Sequence, residues 1–325
     1  MTATERLKST AKAFLARPAI WKLSAPLRRA GCFVLTYHRV GDGEHRFPNI
    51  PAPVFAAQMQ WLKDHCEVID PGAMRSRVDR ADPARPPVLV TFDDGYKDFH
   101  DNAYPILRRL RIPVVVFLPT RFIDEGVPFW WDLIDAALHH TTVEQAPDPD
   151  HPGRTVALLD RGARRAYGRL WKAQLKAVGH PDRSPLLDRA LDALGFTRAS
   201  VPIDRQVMTW DEVRSTMDVV TYGGHTHNHP IMPRLDEAQL VEEVALCTDR
   251  IAAETGRRPQ YFAYPSGACN DLTRRIVGEA GYDLAFTTVE GINTRGADAL
   301  ALRRYHAPAQ PDDLSTMLAG WGHQG

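Results

Sequence analysis

The chain has 325 residues, of which 44% are hydrophobic and 25% are charged, a composition typical of a soluble globular protein. Its 40 basic residues balance 40 acidic ones, so bulk charge favours neither nucleic acid nor a membrane as a partner. The four cysteines form no Cys-x-x-Cys pair, which argues against a thiolate zinc site and agrees with a reducing compartment. No apolar run approaches the roughly 20 residues of a membrane span, and residues 1–30 contain no signal-peptide core. We therefore expect a cytoplasmic protein.

The N-terminal segment, residues 1–30, is basic and amphipathic. Residues 1–31 contain seven basic residues and one acid, Glu5, interleaved with aliphatic and aromatic side chains. This mixture is typical of a helix that lies on a membrane surface, which makes weak, peripheral membrane contact one hypothesis. The alternative, which we favour, is a helix packed on the following domain with its basic face in solvent.

From residue 31 onward, short apolar runs alternate with helical patterns. The runs predict strands at 32–40, 86–92, 112–119, 218–224, 260–267 and 283–291. Helical periodicity predicts helices at 54–65, 102–110, 210–217 and 236–256. Undiluted apolar strands separated by helices indicate a parallel sheet covered on both faces. Many such units suggest a barrel, in which active residues lie where the strands end.

Residues 123–205 interrupt this alternation. They contain "PFWWDLIDAALHH", a Pro/Asp-rich link and two further helical stretches. We therefore predict one domain over residues 31–325, with its motif core starting at about residue 86 and a mainly helical insertion at about 123–205. Seven basic residues lie between Arg154 and Lys176, and we expect a solvated helix face there, with a phosphate-binding surface as the alternative.

The first motif that carries chemistry is "VTFDDGYKD", which places Asp93 and Asp94 directly after a predicted strand. Adjacent carboxylates can divide their roles, one binding a metal ion and the other acting as a base. Gly95 permits a sharp turn that directs the N–H of Tyr96 back toward them. On its own, the motif is equally compatible with a solvated turn.

The second motif is "TYGGHTHNHP", which places His225, His227 and His229 at alternate positions. An extended backbone would put all three on one face, whereas a helical turn would align only His225 and His229. Two histidines and one carboxylate make a three-ligand set with an open position for water, as in hydrolytic zinc sites. The two motifs together are much more specific than either one.

Taken with "FAYPSG", "LTYHRV" and "MTWDEV", these motifs resemble the polysaccharide deacetylase family, which has the NodB-type domain of carbohydrate esterase family 4. The similarity covers about residues 32–310 outside the insertion. It implies an α/β fold, a distorted (β/α)7 barrel. It also implies a divalent metal ion, most commonly Zn²⁺, and hydrolysis of acetyl groups on sugars.

The resemblance also implies roles for individual residues. Asp94, His225 and His229 match the metal ligands, and Asp93 matches the general base. The Tyr96 N–H matches the backbone donor to the oxyanion. Tyr264 and Pro265, in the matching "FAYPSG" stretch, are assigned to substrate binding. His227 matches no ligand of the family, and it either contacts the substrate or packs beside the metal. Thr226 matches the Ser/Thr that braces the histidine loop.

Two positions depart from the family pattern. Ala263 stands where many members have an arginine that orients the base, so what orients Asp93 is open. The usual distal histidine, the general acid for the leaving amine, has no clear counterpart, and His38 and His306 are the candidates. Trp130 and Trp131 form either a sugar-stacking platform or anchors of the insertion.

These expectations combine into a metal-dependent deacetylase that hydrolyses the N-acetyl group of an amino sugar. The substrate would be a polysaccharide or, given the expected cytoplasmic location, its lipid-linked precursor. The alternatives are a deformylase or an O-acetyl esterase acting on a related saccharide, and a catalytically silent carbohydrate-binding protein.

Overall fold

The computed structural model describes Trp21 and residues 25–41, 49–178 and 180–319. The predicted N-terminal segment therefore lies largely outside the described residues. Its described part packs on the domain: the Trp21 ring is buried, meets Trp61 edge-on with ring centroids 4.9 Å apart, and carries the Arg28 guanidinium 3.7 Å above it.

The strands of the structure agree with the predicted alternation. They are β1 (Phe33–Tyr37), β2 (Arg39–Val40), β3 (Asn49–Ile50), β4 (Glu67–Val68), β5 (Pro87–Phe92), β6 (Val114–Leu118), β7 (Gln145–Pro147), β8 (Thr155–Ala157), β9 (Val220–Gly224), β10 (Tyr261–Ala263), β11 (Leu284–Phe286) and β12 (Tyr305–His306). Seven of them form one parallel sheet in the order β11-β10-β9-β6-β5-β1-β12, and β4 pairs with the start of β5.

The helices lie between these strands. They are α1 (Ala52–His65), α2 (Met74–Val78), α3 (Tyr104–Leu110), α4 (Thr120–Glu125), α5 (Trp130–His140), α6 (Arg161–Ala177), α7 (His180–Asp192), α8 (Trp210–Ser215), α9 (Glu237–Thr255), α10 (Asp271–Glu279) and α11 (Pro311–Leu318). None of the helices in the described residues is both long enough and apolar enough to span a bilayer.

Local sequence explains where the main elements begin and end. Every residue of β1, β5 and β6 is buried, as expected for strands covered by helices on both faces. Helix α9 begins at a capping box made by Asp236 and Gln239 and ends at Gly256, which adopts a left-handed φ of 69°. The helix predicted at 102–110 starts with a π-helical turn at Phe99–Ala103 that continues into α3.

The two outer strands of the sheet approach each other through irregular pairing. Leu302 forms a parallel bridge with Phe286, and the N–H of Ala285 donates to the carbonyl of Ala299. The following residues, Tyr305 and His306, pair with β1. The sheet thus curls round and closes without a regular ladder between β11 and β12, which confirms the predicted distorted (β/α)7 barrel.

Between β6 and β9 the chain forms helices α5, α6 and α7 and the antiparallel hairpin β7–β8. These elements share an apolar cluster of their own, separate from the clusters of the barrel. Phe129 and Trp131, at the start of α5, pack with Tyr96 beside the barrel. The start of α5 therefore lies next to the turn that follows β5.

Candidate active site

The predicted chemical residues lie at the carboxyl ends of four strands of the sheet. Asp93 and Asp94 come after β5, the histidine stretch after β9, and His38 after β1, while His306 ends β12. The strands are parallel, so their carboxyl ends meet at the same edge. In the sheet, strand β6 lies between β5 and β9. Thr120, two residues after the end of β6, is hydrogen-bonded to the ring of His227.

The turn after β5 is left-handed at two consecutive residues. Asp94 has φ 74° and Gly95 has φ 61°. A Cβ on Gly95 would lie 2.7 Å from the Leu118 side chain, so both conformation and space favour glycine there. The backbone amide of Asp93 still donates to the Tyr37 carbonyl at 3.0 Å, which keeps Asp93 in line with β5. The reversal therefore directs the two carboxylates differently.

The histidine loop is a tight non-helical turn. Thr226 and His229 have φ values of 63° and 54°, a conformation that costs about 1–3 kcal/mol per residue in a non-glycine position. The Thr226 hydroxyl accepts a hydrogen bond from the His229 N–H at 3.0 Å and donates to the His225 carbonyl at 2.6 Å. The helical turn that we considered for His-x3-His is thus replaced by a strained turn, which still brings the outer histidines together.

Asp94, His225 and His229 converge on one point. The Asp94 Oδ1 atom lies 3.6 Å from His225 Nε2 and 3.5 Å from His229 Nε2. Two ligands about 2.0–2.1 Å from a tetrahedral ion lie roughly 3.3 Å apart, so these separations suit a zinc-sized ion. His227 does not join the group, because its ring bonds the Thr120 hydroxyl at 2.8 Å.

The chemistry of this donor set also fits a divalent cation. Asp94 Oδ1 is buried and has no hydrogen-bond partner among the described residues. Burial and the neighbouring negative charge of Asp93 raise the pKa of Asp94 well above its usual value, so its anionic form needs a cation beside it. Burial lowers the pKa of both histidines, which favours the neutral imidazole that binds metals.

The Ala263 carbonyl orients the first histidine. It lies 2.6 Å from Nδ1 of His225. A carbonyl only accepts hydrogen bonds, so Nδ1 carries the proton and the lone pair of Nε2 faces Asp94. Ala263, the residue at the usual arginine position, thus supports the site through its backbone.

Asp93 is held by an arginine that sequence reasoning missed. The fully buried Arg304 donates from Nη1 to Oδ1 at 2.7 Å and from Nη2 to Oδ2 at 2.8 Å. Burial alone would raise the pKa of Asp93, but Arg304, together with His225 and His38, holds it below its usual range. This bidentate pair orients Asp93, a role that the side chain of Ala263 cannot fill. The sequence signal for Arg304 is the stretch "LRRYHAP", in which the sequence analysis singles out only His306.

The two candidate general acids lie together near Asp93. His38 Nε2 is 4.0 Å from the Asp93 carboxylate, and the His306 ring lies nearly parallel to that of His38, with centroids 6.2 Å apart. Burial lowers the pKa of His38 to about 4 even though Asp93 opposes the shift. His38 is therefore the nearer of the two to the candidate base, and His306 lies exposed behind it.

The amide of Tyr96 is oriented by a short antiparallel bridge to Val207. The flanking bonds run from the Met208 N–H to the Gly95 carbonyl and from the Lys97 N–H to the Gln206 carbonyl. This pattern makes Tyr96 a non-hydrogen-bonded partner, whose own N–H points away from Val207. The geometry leaves this N–H able to donate to a bound oxyanion.

Aromatic rings line the side of the site formed by the start of α5. The Trp131 ring lies 5.0 Å from that of His229, and its indole N–H donates to the Tyr96 hydroxyl at 2.7 Å. Trp130 is buried in the apolar cluster of α5, α6 and α7. Of the two tryptophans, Trp131 thus lies beside the ligand set, whereas Trp130 packs within the helices.

The "FAYPSG" residues lie beneath the site. Tyr264 is completely buried, and its hydroxyl donates to the Leu300 carbonyl at 2.8 Å. Pro265 is buried as well. A substrate contact by the Tyr264 side chain would require it to leave this packing.

Two further residues support the site without touching the ligand set. Glu243, on α9, accepts hydrogen bonds from the backbone amides of His227 and Asn228 at 3.0 and 2.8 Å. Arg39 is buried over the Tyr96 ring at 4.1 Å and donates to Asp98 at 2.7 Å. Neither role has a local sequence signal, because each depends on contacts between distant elements.

Comparison with known proteins identifies the family. The family model described as "Polysaccharide deacetylase" matches residues 80–146 and 165–285, more than half of the chain. The chain belongs to the polysaccharide deacetylase family. The matched ranges include both aspartates and the histidine loop, whereas His38 and Arg304 lie outside them.

The chain shares 28% identity or less with the curated proteins that it matches. It is 22% identical over 275 residues to the poly-beta-1,6-N-acetyl-D-glucosamine N-deacetylase of Escherichia coli (strain K12), covering 82% of this chain and 35% of that protein. The chain spans about 35–40% of the length of the curated relatives it matches. Among solved structures it resembles the Streptococcus pyogenes deacetylase PplD in complex with acetate, with TM-score 0.60, 19% identity and coverage of 89% of this chain and 98% of that one. It also resembles IcaB from Ammonifex degensii, with TM-score 0.59, 20% identity and coverage of 90% and 97%.

Proposed function

We propose that this chain is a metal-dependent deacetylase that hydrolyses the N-acetyl group of an amino sugar in a polysaccharide or in its lipid-linked precursor. The observation that carries the proposal is the convergence of Asp94, His225 and His229 next to a second carboxylate, Asp93, that an arginine holds anionic. The name of the Escherichia coli relative supports an N-acetylglucosamine polymer as the substrate class.

The three converging residues would hold the ion, and zinc suits their two nitrogens and one oxygen. When bound, such an ion supplies Lewis-acid chemistry, polarising a carbonyl and lowering the pKa of water. Asp93 accepts the proton of the attacking water, for which its low pKa keeps it ionised. The Tyr96 N–H donates to the oxygen of the tetrahedral intermediate. His38, neutral at pH 7 and beside Asp93, passes the proton that Asp93 took from the water on to the leaving amine, which restores the ionised Asp93.

Trp131 would contact either the acetyl group or the sugar ring of the substrate, because its ring lies against that of His229. His227 and Trp130 make contacts within the protein that support a packing role instead. His306 is exposed beside His38 and supports the relay only indirectly.

Acetate release is the direct test. The protein would be stripped with a chelator, reloaded with Zn²⁺, and assayed on N-acetylglucosamine oligomers, on their N-formyl and O-acetyl analogues, and on a lipid-linked N-acetylglucosamine. We expect metal-dependent acetate release from the N-acetyl substrates. Formate released from only the N-formyl analogue would replace the deacetylase with a deformylase, and acetate released from only the O-acetyl analogue would replace it with an esterase. Oligomer binding without any product would indicate a carbohydrate-binding protein.

We also propose that the protein acts in the cytoplasm, which the free state of all four cysteines supports. Weak contact of residues 1–31 with anionic membranes stays a second proposal, although the burial of Trp21 and Arg28 favours packing on the domain. Vesicle sedimentation at low and physiological salt, with and without residues 1–31, tests it. Unchanged sedimentation after the deletion would rule it out.

A further inference from the structure

Two arginines meet at the C-terminal end of α6. Arg183 donates from Nε to the Leu175 carbonyl at 3.1 Å and from Nη2 to the Val178 carbonyl at 3.4 Å. Arg234, in the loop before α9, donates from Nη1 to the Lys176 carbonyl. The two guanidinium groups therefore bind carbonyls of the same four-residue segment and lie near each other.

The hydrogen bonds of this arginine pair go to backbone carbonyls. Among the side chains that the structure describes, which do not include those of residues 179–182, neither guanidinium is bonded to a carboxylate, and the carbonyls of a helix end supply only a partial negative charge. Burial and the positive charge of Arg234 lower the pKa of Arg183. Two like charges held close together repel each other, the more so because Arg183 is half-buried, and an anion between them would relieve this repulsion.

The arginine pair borders the candidate active site through the tryptophans of α5. Arg183 lies over the Trp130 ring at 5.6 Å, and Trp130 meets Trp131 with ring centroids 5.2 Å apart. Trp131 in turn lies against His229, and Arg183 is near enough for its charge to act on that histidine. A ligand held by the pair would thus extend toward the metal ligands.

The guanidinium groups also retain donors. Arg183 uses Nε and Nη2 for the helix carbonyls, which leaves Nη1, and Arg234 uses only Nη1. Two planar groups with remaining N–H donors match the oxygens of a phosphate, which arginine binds through paired, charge-assisted hydrogen bonds.

We propose that Arg183 and Arg234 form a subsite for a phosphoryl group carried by the acetamido-sugar substrate. The inference rests on the proposed deacetylase function and narrows its substrate to phosphate-bearing amino sugars. The phosphate could be an ester on a soluble oligosaccharide or the diphosphate of a lipid-linked sugar, because both present the same oxygens.

Binding is tested first, with inorganic pyrophosphate titrated calorimetrically into the zinc-loaded full chain. We expect Arg183→Gln and Arg234→Gln each to weaken binding about tenfold or more, the effect of losing a hydrogen bond to a charged group. Arg165→Gln, an exposed arginine on α6, is the matched control and should bind as the parent does. Binding that is equal in all variants would place pyrophosphate on the metal ligands and overturn the subsite.

Arg183 also binds the last carbonyls of α6, so its replacement could impair folding. Thermal unfolding of each variant should therefore be measured alongside its titration. Arg234 is exposed, and Arg234→Gln keeps the test decisive if Arg183→Gln unfolds. Arg183→Lys provides a further check, because it keeps the charge and loses the paired donors.

Kinetics then separate this inference from the proposed function. Acetate release would be compared for a neutral N-acetylglucosamine oligomer, the same oligomer carrying a phosphate ester, and a lipid-linked N-acetylglucosamine diphosphate. We expect the arginine variants to lose about tenfold more kcat/KM on either phosphorylated substrate than on the neutral one. Equal losses on all three would overturn the subsite. No acetate from any substrate, with pyrophosphate binding still dependent on the arginines, would overturn the deacetylase and leave the anion site standing.

Discussion

Asp93 and Asp94 are neighbours in sequence, yet their carboxylates have opposite electrostatic surroundings in the active site. The protein gives Asp93 a permanent cation, because Arg304 binds both of its oxygens. It gives Asp94 two neutral imidazoles and leaves its Oδ1 without a hydrogen bond among the described residues. The pKa of Asp93 is lowered and that of Asp94 is raised. One carboxylate is thus neutralised by the fold, whereas under the proposed function the other would be neutralised by a bound cation.

The largest effect should come from removing the ion's anionic ligand. Asp94→Asn takes away the only carboxylate of the ligand set, so we expect loss of tight zinc binding and of all metal-dependent turnover. Equilibrium dialysis with Zn²⁺ measures the first and acetate release the second. Full zinc occupancy in this variant would contradict the contrast between the two aspartates.

Asp93→Asn should fail in a different way. The substitution keeps the size of the side chain and removes its basicity, so zinc should still bind while turnover falls about 10²–10⁴-fold, the usual loss for a general base. The same dialysis and assay measure both quantities. The division of roles would be wrong if this variant lost zinc as Asp94→Asn does.

A smaller catalytic effect is expected from Arg304→Met. Removing one partner of a buried ion pair costs about 3–5 kcal/mol of stability, which denaturant unfolding would measure. The pKa of Asp93 should rise when its cation is lost. Because only the ionised carboxylate accepts a proton, the acid limb of the pH–rate profile should move to higher pH.

Arg304→Lys serves as the control for that profile. It keeps a positive charge near Asp93 and loses the paired hydrogen bonds, so the limb should move less. An unchanged acid limb in Arg304→Met would show that Arg304 has a purely structural role.

The smallest effect should come from His227→Ala. Its ring bonds Thr120 and lies outside the ligand set, so zinc stoichiometry should stay at the parental value and turnover should change only slightly. The matched variant His229→Ala should lose tight zinc binding. If the two variants lost zinc equally, the assignment of the outer histidines would be wrong.

The sequence allowed the alternation of strands and helices and the convergence of Asp94, His225 and His229 to be predicted, because both depend on local signals. Apolar runs predict buried strands, and parallel strands bring their following residues to one edge. The helical turn considered for His225 and His229 did not appear, since Thr226 and His229 take left-handed conformations that such residues rarely adopt.

Arg304 could not be predicted in the same way. It reaches Asp93 across a separation of 211 residues. Whether Arg303 or Arg304 faces the interior depends on the irregular bridge between Leu302 and Phe286, which has no sequence signature. The hydrogen bond between the Ala263 carbonyl and His225 could not be predicted either, because any residue type can provide a backbone acceptor.

The separation between Asp93 and Arg304 also sets an order of events during synthesis. A ribosome that has completed β5, β6 and the whole histidine loop has already made every residue of the ligand set, yet Arg304 has still to be translated. Until it emerges, Asp93 has no guanidinium, and β12 cannot pair with β1. A nascent chain would therefore contain Asp94, His225 and His229 before Asp93 has its guanidinium, so under the proposed function the oriented base would be among the last parts of the site to form.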